Sequence, residues 1–532
     1  MLKKKNPFLF LVLFFILMFS LPLFDLAEKN NQKKPRYGGV LRVKSFENVL
    51  RTELDPASPD SYIFVSEQIY DGLVRLDKNL NIVPCLAEYW KISDDGRKYT
   101  FYLRKGIKFH HGKELSADDV KFSLERLINK KTGSHYYQFF TAKVVGAEDY
   151  REGKTISVKG FKVRDKYTFE MLLLKPYVSA LYLMSMNFCK ILPRDRVLSK
   201  GKGFFSKPSG TGPFKFSYWL RSMTLDIVGF RLERNDEYFG GKPYLKAVEF
   251  SPYFSLRHFS NKEIDIIPVL SEKLFNTDCQ VFQGGSFNLI FLGMSCHIPP
   301  LDRKIVRKAI LYGINKKEVV LVSYSTKYKP EVTNSYIPAK LPGFFPKDDE
   351  DNYDSKKAKE ILLKEGFSTE KKFSTLTLFI DLPRTEIKYK VYRELKKQLD
   401  VLGIKLRLRY YKSLDEIKSY KEPYLVFLER LMNFPDPEDV IRPLFFSKSF
   451  FNVFGYSSPE LDRLLEEAEE ERSWTRRIEL FHQIEQILFS DVPAIPLYSN
   501  QQRVAVQPYI RGVKVPLLGF YYLEARNIWL DK

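Results

Sequence analysis

Cysteine and histidine are scarce. Four cysteines in 532 residues, Cys85, Cys189, Cys279 and Cys296, show no C-x-x-C spacing. That count excludes a disulfide-stapled scaffold and argues against a structural zinc site. One bridge would suit an oxidising compartment, with Cys279 and Cys296 the nearer pair, against the alternative of buried free thiols. The six histidines form one cluster, His110–His111 in "FHHG". Neighbours on a strand point to opposite faces, so these two read as turn residues and not as joint metal ligands. The chain has no G-x-x-x-x-G-K-[ST], no G-x-S-x-G and no H-E-x-x-H. A phosphate-cradling loop, a nucleophile elbow and a helical zinc-protease site are thereby excluded. "GTGPF", residues 210–214, precedes a strand-like "KFSYW" and no helix N-terminus, so it reads as a tight turn. The acids of "LLEEAEEER" read as a solvated helix face. No catalytic residue, metal or cofactor is expected.

Charge is one-sided but scattered. The net charge is +21, and residues 1–37 hold seven Lys/Arg against two Asp/Glu, leaving 79 basic and 63 acidic residues, or +16, over the rest. These lysines are mixed with acids and form no basic stripe, and no nucleic-acid-binding motif is present. Solubility or an anionic envelope surface accounts for the excess without nucleic acid.

The N-terminus is the one long apolar run. "MLKKKNPFLFLVLFFILMFSLPLF" joins a basic start to an apolar stretch from Phe8 to Phe24. Residues 1–24 therefore read as an export signal, either cleaved or kept as a membrane anchor, with the remainder outside. No cysteine follows the run until Cys85, which excludes a lipid-modified N-terminal cysteine. Residues 25–36 read as a polar linker.

Past Tyr37 the pattern is mixed and free of repeats, and its length requires two or three lobes. "GGVLRVKSF" and "YTFYLRKGIKF" alternate as strands. "LSADDVKFSLERLINK" is a helix capped by Ser116 with Asp119. "LDRKIVRKAILYGINKKEVV" holds two helices, capped by Asp302 and by Asn315 with Glu318. "YDSKKAKEILLKEGF" is capped at Asp354 and stopped by Gly366, and Pro459 opens another helix. This alternation predicts an α/β protein of several lobes. "EIDIIPVL" (263–270) and "SDVPAIPLY" (490–498) are the expected crossings between lobes. Aromatics are 15% of the chain, available for a ligand and otherwise core.

One stretch stands apart. "LMNFPDPEDV", Leu431–Val440, follows the buried-strand pattern "YLVFLERLMNF", and two prolines bracket one acid. Proline cannot continue a central strand, so the exit is held stiffly, with Asn433 and Phe434 at its mouth.

Taken in order, these segments resemble family 5 extracellular solute-binding proteins, the dipeptide/oligopeptide-binding components of ABC importers. The resemblance rests on "YGGVLRV", the run Leu54–Leu127, "GTGPFKF", "RNDEYFGGKPYL", "EIDIIPV", "PLDRKIVRKAILYGINKKEVV" and "YSSPELDRLLEEAEEERSWTRRIELFHQIEQILFSDVPAIPLY", and covers about residues 37–532. It implies a two-lobed fold with an interlobe ligand cleft closed by hinge motion. Lobe I would be 37–270 with a subdomain at about 78–208, lobe II 271–489, and 490–532 would return to lobe I. It further implies a monomer that binds a peptide or small molecule and works with membrane permease subunits and a cytoplasmic ATPase.

The resemblance also implies site residues. Peptide-binding members are similar to "A-D-Y-x-D/E-P" where this chain has Met432-Asn433-Phe434-Pro435-Asp436-Pro437, and their Asp pairs with the peptide α-ammonium. Asn433 brings no charge to that position, and an unpaired ammonium in an enclosed cleft costs on the order of several kcal/mol. Asp436 or Glu429 could serve as a shifted anchor. Phe434 would be a ring beside it or a core residue. Tyr70 and Met294 would line the cleft. The alternatives are a non-peptide ligand such as an oligosaccharide, a membrane-anchored sensor or scaffold, and an exported hydrolase.

Overall fold

The computed structural model describes residues 34–45, 54–58, 62–268, 278–284, 287–323, 330–339, 341, 343–344, 353–368, 373–382, 384–499 and 502–532. The apolar start and linker residues 25–33 lie outside these. Among the described residues no helix is long and apolar enough to cross a membrane.

Three sheets organise the chain. The first has seven strands, in the order Gln280–Gly284, Gln502–Val506, Ile266–Pro268, Val40–Lys44, Ala247–Ser251, Ile227–Arg234, Phe214–Arg221. The second has six, in the order Glu331–Val332, Ala494–Ser499, Asn288–Met294, Tyr424–Leu431, Leu376–Asp381, Leu406–Tyr411. A four-stranded antiparallel sheet, Ala87–Ile92, Lys98–Leu103, Thr168–Leu172 and Phe161–Asp165, belongs to a separate subdomain. Each sheet has a dry core, and the subdomain's draws on residues from Leu73 to Ile191. The first sheet mixes parallel and antiparallel pairs, since Val40–Lys44 runs parallel to both of its neighbours.

Helices begin where the caps predict. Ser116 and Asp119 form a capping box on Ala117–Ile128. Asp354 accepts from the Lys357 N–H at the head of Ser355–Lys364, and Ser458 precedes Pro459 at the first position of Pro459–Glu470. One cap differs. Lys304–Gly313 starts from Arg303, not Asp302, without a side-chain cap.

The crossings fall later than the proline-marked borders. Strand Gln280–Gly284 pairs with Gln502–Val506 in the first sheet, so the second sheet starts beyond it. Strand Ala494–Ser499, expected to return to the first lobe, lies in the second sheet beside Asn288–Met294. The chain therefore changes sheets between Gly284 and Phe287 and again between Ser499 and Gln502. Pro496 misled because it is tolerated inside a sheet here. It faces Phe291 where the register shifts, and the outer neighbour Glu331–Val332 reaches only Tyr498 and Ser499, so no ladder bond is lost.

Two glycine positions set close approaches. Gly210 and Gly212 lie under the end of helix Ile63–Ile69, where a Cβ on either would meet the Ile69 backbone, and on Gly212 also the Gln68 carbonyl. That explains the GTG sequence without a phosphate. His110 and His111 pin the same turn, His110 to Gly210 and Gly212 and His111 to Ser209. Burial pushes the His110 imidazole down to about 4, so it stays neutral.

Gly293 is the second close approach, at mid-strand in the second sheet. A Cβ there would overlap the Phe454 ring that lies on the strand. Gly293→Ala is expected to lower stability by about 1–3 kcal/mol through overpacking. Gly203→Ala, where the added carbon meets open space, should leave stability unchanged. Urea unfolding of both variants checks this.

Candidate ligand site between the lobes

A cavity of about 1040 Å³ opens where the first lobe faces the end of strand Tyr424–Leu431. Glu67, Asp71, Arg75, Lys190 and Tyr238 form one wall. C-terminal residues including Tyr522, Glu524 and Arg526 form another, and Asn433 contributes from the second lobe.

Glu67 and Asp71 lie four residues apart, Glu67 in helix Ile63–Ile69 and Asp71 just past its end. Lys190 pairs with Glu67 at 2.8 Å; its side chain is 4% exposed and that of Glu67 is 23% exposed. Burial raises the Glu67 carboxyl above its usual range against the pull of Lys190. Lys190, which burial alone would lower, is held above its usual value by Glu67. Asp71 accepts from Thr211 Oγ1 at 2.9 Å and from the Tyr238 hydroxyl at 3.1 Å. Thus the GTG turn delivers a hydroxyl to the Asp71 carboxylate from behind the wall. Arg75 pairs with Glu524 at 2.6 Å, and Arg526 also leans on Glu524. These six groups carry three charges of each sign, and with Asp77, Lys78, Arg511 and Lys514 the whole lining holds six cations against four acids.

Asn433 has a fixed orientation. Its backbone N–H donates to Asp439 Oδ2 at 2.6 Å and its Nδ2 to Asp439 Oδ1 at 3.2 Å. The amide nitrogen is therefore used inward, leaving the carbonyl Oδ1 as the free acceptor of this cavity-lining side chain. Arg430 neutralises Asp439 from behind at 3.0 Å. Burial nevertheless raises the Asp439 carboxyl, with Arg430 opposing.

The other residues expected at the site are placed elsewhere. Asp436 is buried and caps helix Pro437–Phe445 through the Glu438 N–H at 2.9 Å. Arg477 clasps it at 2.6 and 2.9 Å, and the Ser179 hydroxyl donates to it at 3.1 Å, so it has no capacity left for an ammonium. Glu429 is exposed and accepts from Asn288 Nδ2. Phe434 leaves its own lobe, packs in the subdomain core and stacks on Tyr182 with centroids 5.9 Å apart. Tyr70 is fully buried, with its hydroxyl donating to the Leu54 carbonyl at 2.8 Å. Met294 is equally buried, in the core of the second sheet. Neither lines this cavity. Cys279 and Cys296 are not bridged. Cys279 packs beside a small first-lobe cluster, and Cys296 donates to the Met294 carbonyl in the second lobe.

Sequence reading missed Glu67, Asp71, Lys190 and Asp439. The four-residue spacing of Glu67 and Asp71 was a usable signal, and Asp436-Pro437 was a helix start in plain view. No local pattern tied Lys190 to Glu67.

Asn433→Asp would set a carboxylate against that of Asp439. The variant is expected to lose about 2 kcal/mol or more, because like charges would meet in a buried site. Adding Asp439→Asn should restore most of the loss. Melting curves of the three proteins at neutral and acid pH check this, with the single variant recovering as pH falls.

The comparisons agree with this architecture. The family described as bacterial extracellular solute-binding proteins, family 5 Middle, matches residues 81–452. The oligopeptide-binding protein AppA of Bacillus subtilis (strain 168) is 27% identical, covering 95% of this chain and 94% of its own. The dipeptide-binding protein of Escherichia coli (strain K12) is 24% identical, covering 88% and 91%. Among solved structures, the periplasmic binding protein DppA from Helicobacter pylori, in complex with the peptide STSA, superposes with a TM-score of 0.76 at 25% identity over 93% of this chain and 99% of that one. A match spanning most of the chain, two crossings between sheets and a cavity between the lobes have one common reading: the chain belongs to the family 5 bacterial extracellular solute-binding proteins.

Proposed function

We propose that the chain is the extracytoplasmic binding component of an ABC importer. It holds a peptide between its lobes as a monomer and delivers it to membrane permease subunits driven by a cytoplasmic ATPase. One observation carries the reading: the cavity of about 1040 Å³ is walled by the first lobe and met by Asn433 from the second. Its size is at the upper end of small-molecule pockets, which suits an extended peptide. Relatives named as dipeptide- and oligopeptide-binding support the ligand class.

Walls that hold charges of both signs, with cations in excess, suit a zwitterion. A peptide α-ammonium takes its counter-charge from Glu67, with the Asp71 carboxylate adjacent, and displaces part of the Glu67–Lys190 attraction. Asn433 Oδ1 accepts a backbone N–H of the ligand, as a neutral acceptor suits a neutral donor. Release of Lys190 toward the ligand's carboxylate keeps both Glu67 and Lys190 paired when the site is filled.

Native mass spectrometry of gently purified protein, followed by denaturation and identification of released molecules, is expected to find peptides. Recovery of glycans in their place would overturn the peptide reading. Glu67→Gln is expected to weaken binding of a free-amine peptide about tenfold, near 1.4 kcal/mol, and to leave its N-acetylated form unchanged. Titration calorimetry with both forms reads this directly, and equal losses would remove Glu67 from the amine site.

A further inference from the structure

Away from the cavity, the seam between the subdomain and the second lobe buries a cluster of charge. The second lobe contributes Asp436, Glu438, Arg442, Glu469 and Arg477, and the subdomain contributes Lys143. Three cations face three acids, but the close bonds are unevenly shared. Arg477 clasps Asp436. Arg442 reaches Glu469 at 2.5 Å, and Lys143 donates to the same carboxylate. Glu438 receives what remains: Arg442 at 3.4 Å, Arg477 at 3.6 Å and Lys143 at 4.0 Å. Its side chain is 5% exposed, and its Oε2 has no hydrogen-bond partner. Further titratable groups here are Tyr177, beneath Lys143 at 3.9 Å, Tyr182, close enough to feel Asp436 and Arg477, and Lys175, which pairs with Glu470 across the seam at 2.7 Å.

We propose that this seam is a proton-controlled latch, in which a proton on Glu438 holds the subdomain against the second lobe and its loss lets them part. Geometry supplies the reason. The shortest ion pairs of the three cations end on Asp436 or Glu469, and Arg477 Nε donates to the Ala468 carbonyl at 2.8 Å, so a neutral Glu438 sacrifices none of these bonds. An ionised Glu438 is a desolvated charge without a hydrogen bond at one oxygen.

Burial pushes the docked Glu438 carboxyl up to about 7; Lys143 opposes, Glu469 adds, Arg442 opposes and Asp436 adds. Parting the seam returns it to water, where glutamate titrates near ~4.3. A carboxyl with the higher pKa in the docked form takes up a proton on docking. The contribution of Glu438 to docking is therefore full below the free value and is lost as pH rises through about 7. Glu469 has the opposite sign. Burial is outweighed there by Lys143 and Arg442, its carboxyl is held low, and its contribution is lost at the acid end. The apolar contact of Phe434 with Tyr182 and the Val178 N–H to Glu469 carbonyl bond cross the same seam and do not titrate.

Small-angle X-ray scattering of the ligand-free chain, fitted as docked and parted forms across about one pH unit either side of about 7, tests the latch. The docked-to-parted ratio of the wild type is expected to fall about tenfold over this range, the response of one carboxyl whose docked value stands well above its free value. Glu438→Gln, neutral at every pH, should stay docked with a flat profile. Lys143→Met should keep the pH response of Glu438 with a shifted midpoint, which serves as the second variant if Glu438→Gln does not fold. A wild-type ratio that is constant with pH, or a Glu438→Gln profile that follows the wild type, would overturn the latch.

Discussion

The bidentate pair between Arg477 and Asp436 is the constraint on which the site depends. Both side chains are almost fully buried, so their desolvation is costly and only close geometry offsets it. The same carboxylate caps helix Pro437–Phe445 and accepts from Ser179. A cap alone contributes about 1 kcal/mol, whereas leaving one partner of a buried pair alone costs about 3–5 kcal/mol. The pair is therefore what fixes the exit of strand Tyr424–Leu431. With Asp436 clamped, Pro435 and Pro437 leave little backbone freedom, and the two residues before them are sent in opposite directions. Phe434 goes into the subdomain core, and Asn433 turns to the cavity.

That division explains how a neutral residue comes to face the cavity. A carboxylate is present, but one step back, at Asp439, and Arg430 absorbs its charge. What reaches the cavity is a carbonyl oxygen with its direction set by two bonds to Asp439. The charges that a zwitterionic ligand needs stand on the opposite wall, at Glu67 and Lys190. In the proposed complex the two lobes would divide the work, with directional hydrogen bonding from one and electrostatic complementarity from the other.

Local order was readable in the chain, and long-range pairing was not. Ser116 with Asp119, Asp354 and Ser458-Pro459 each mark a helix because a cap acts within four residues. The collinear segments revealed the family for the same reason. Tyr70 and Met294 were read toward the cleft, but each sits on an element whose inner face is decided by partners far along the chain. Tyr70 meets Leu54, and Met294 joins a core built largely from residues beyond 300. The crossings were misplaced because Pro496 looked like a border, and only the shifted register beside Phe291 shows that it is not. The pairing of Glu67 with Lys190 spans 123 positions, beyond the reach of any periodicity.

Phe434 carries one more consequence, for the order of assembly. The subdomain is encoded near the start of the chain, yet its core is missing a ring until the strand exit near residue 434 arrives. The hydroxyl of Ser179 likewise waits for a carboxylate 257 positions later. Such contacts close very long loops and form slowly. The N-terminal subdomain therefore cannot complete itself as the chain emerges. It remains a nearly finished fold whose last piece is delivered by the second lobe, so completion of its core depends on a segment made about 250 residues later.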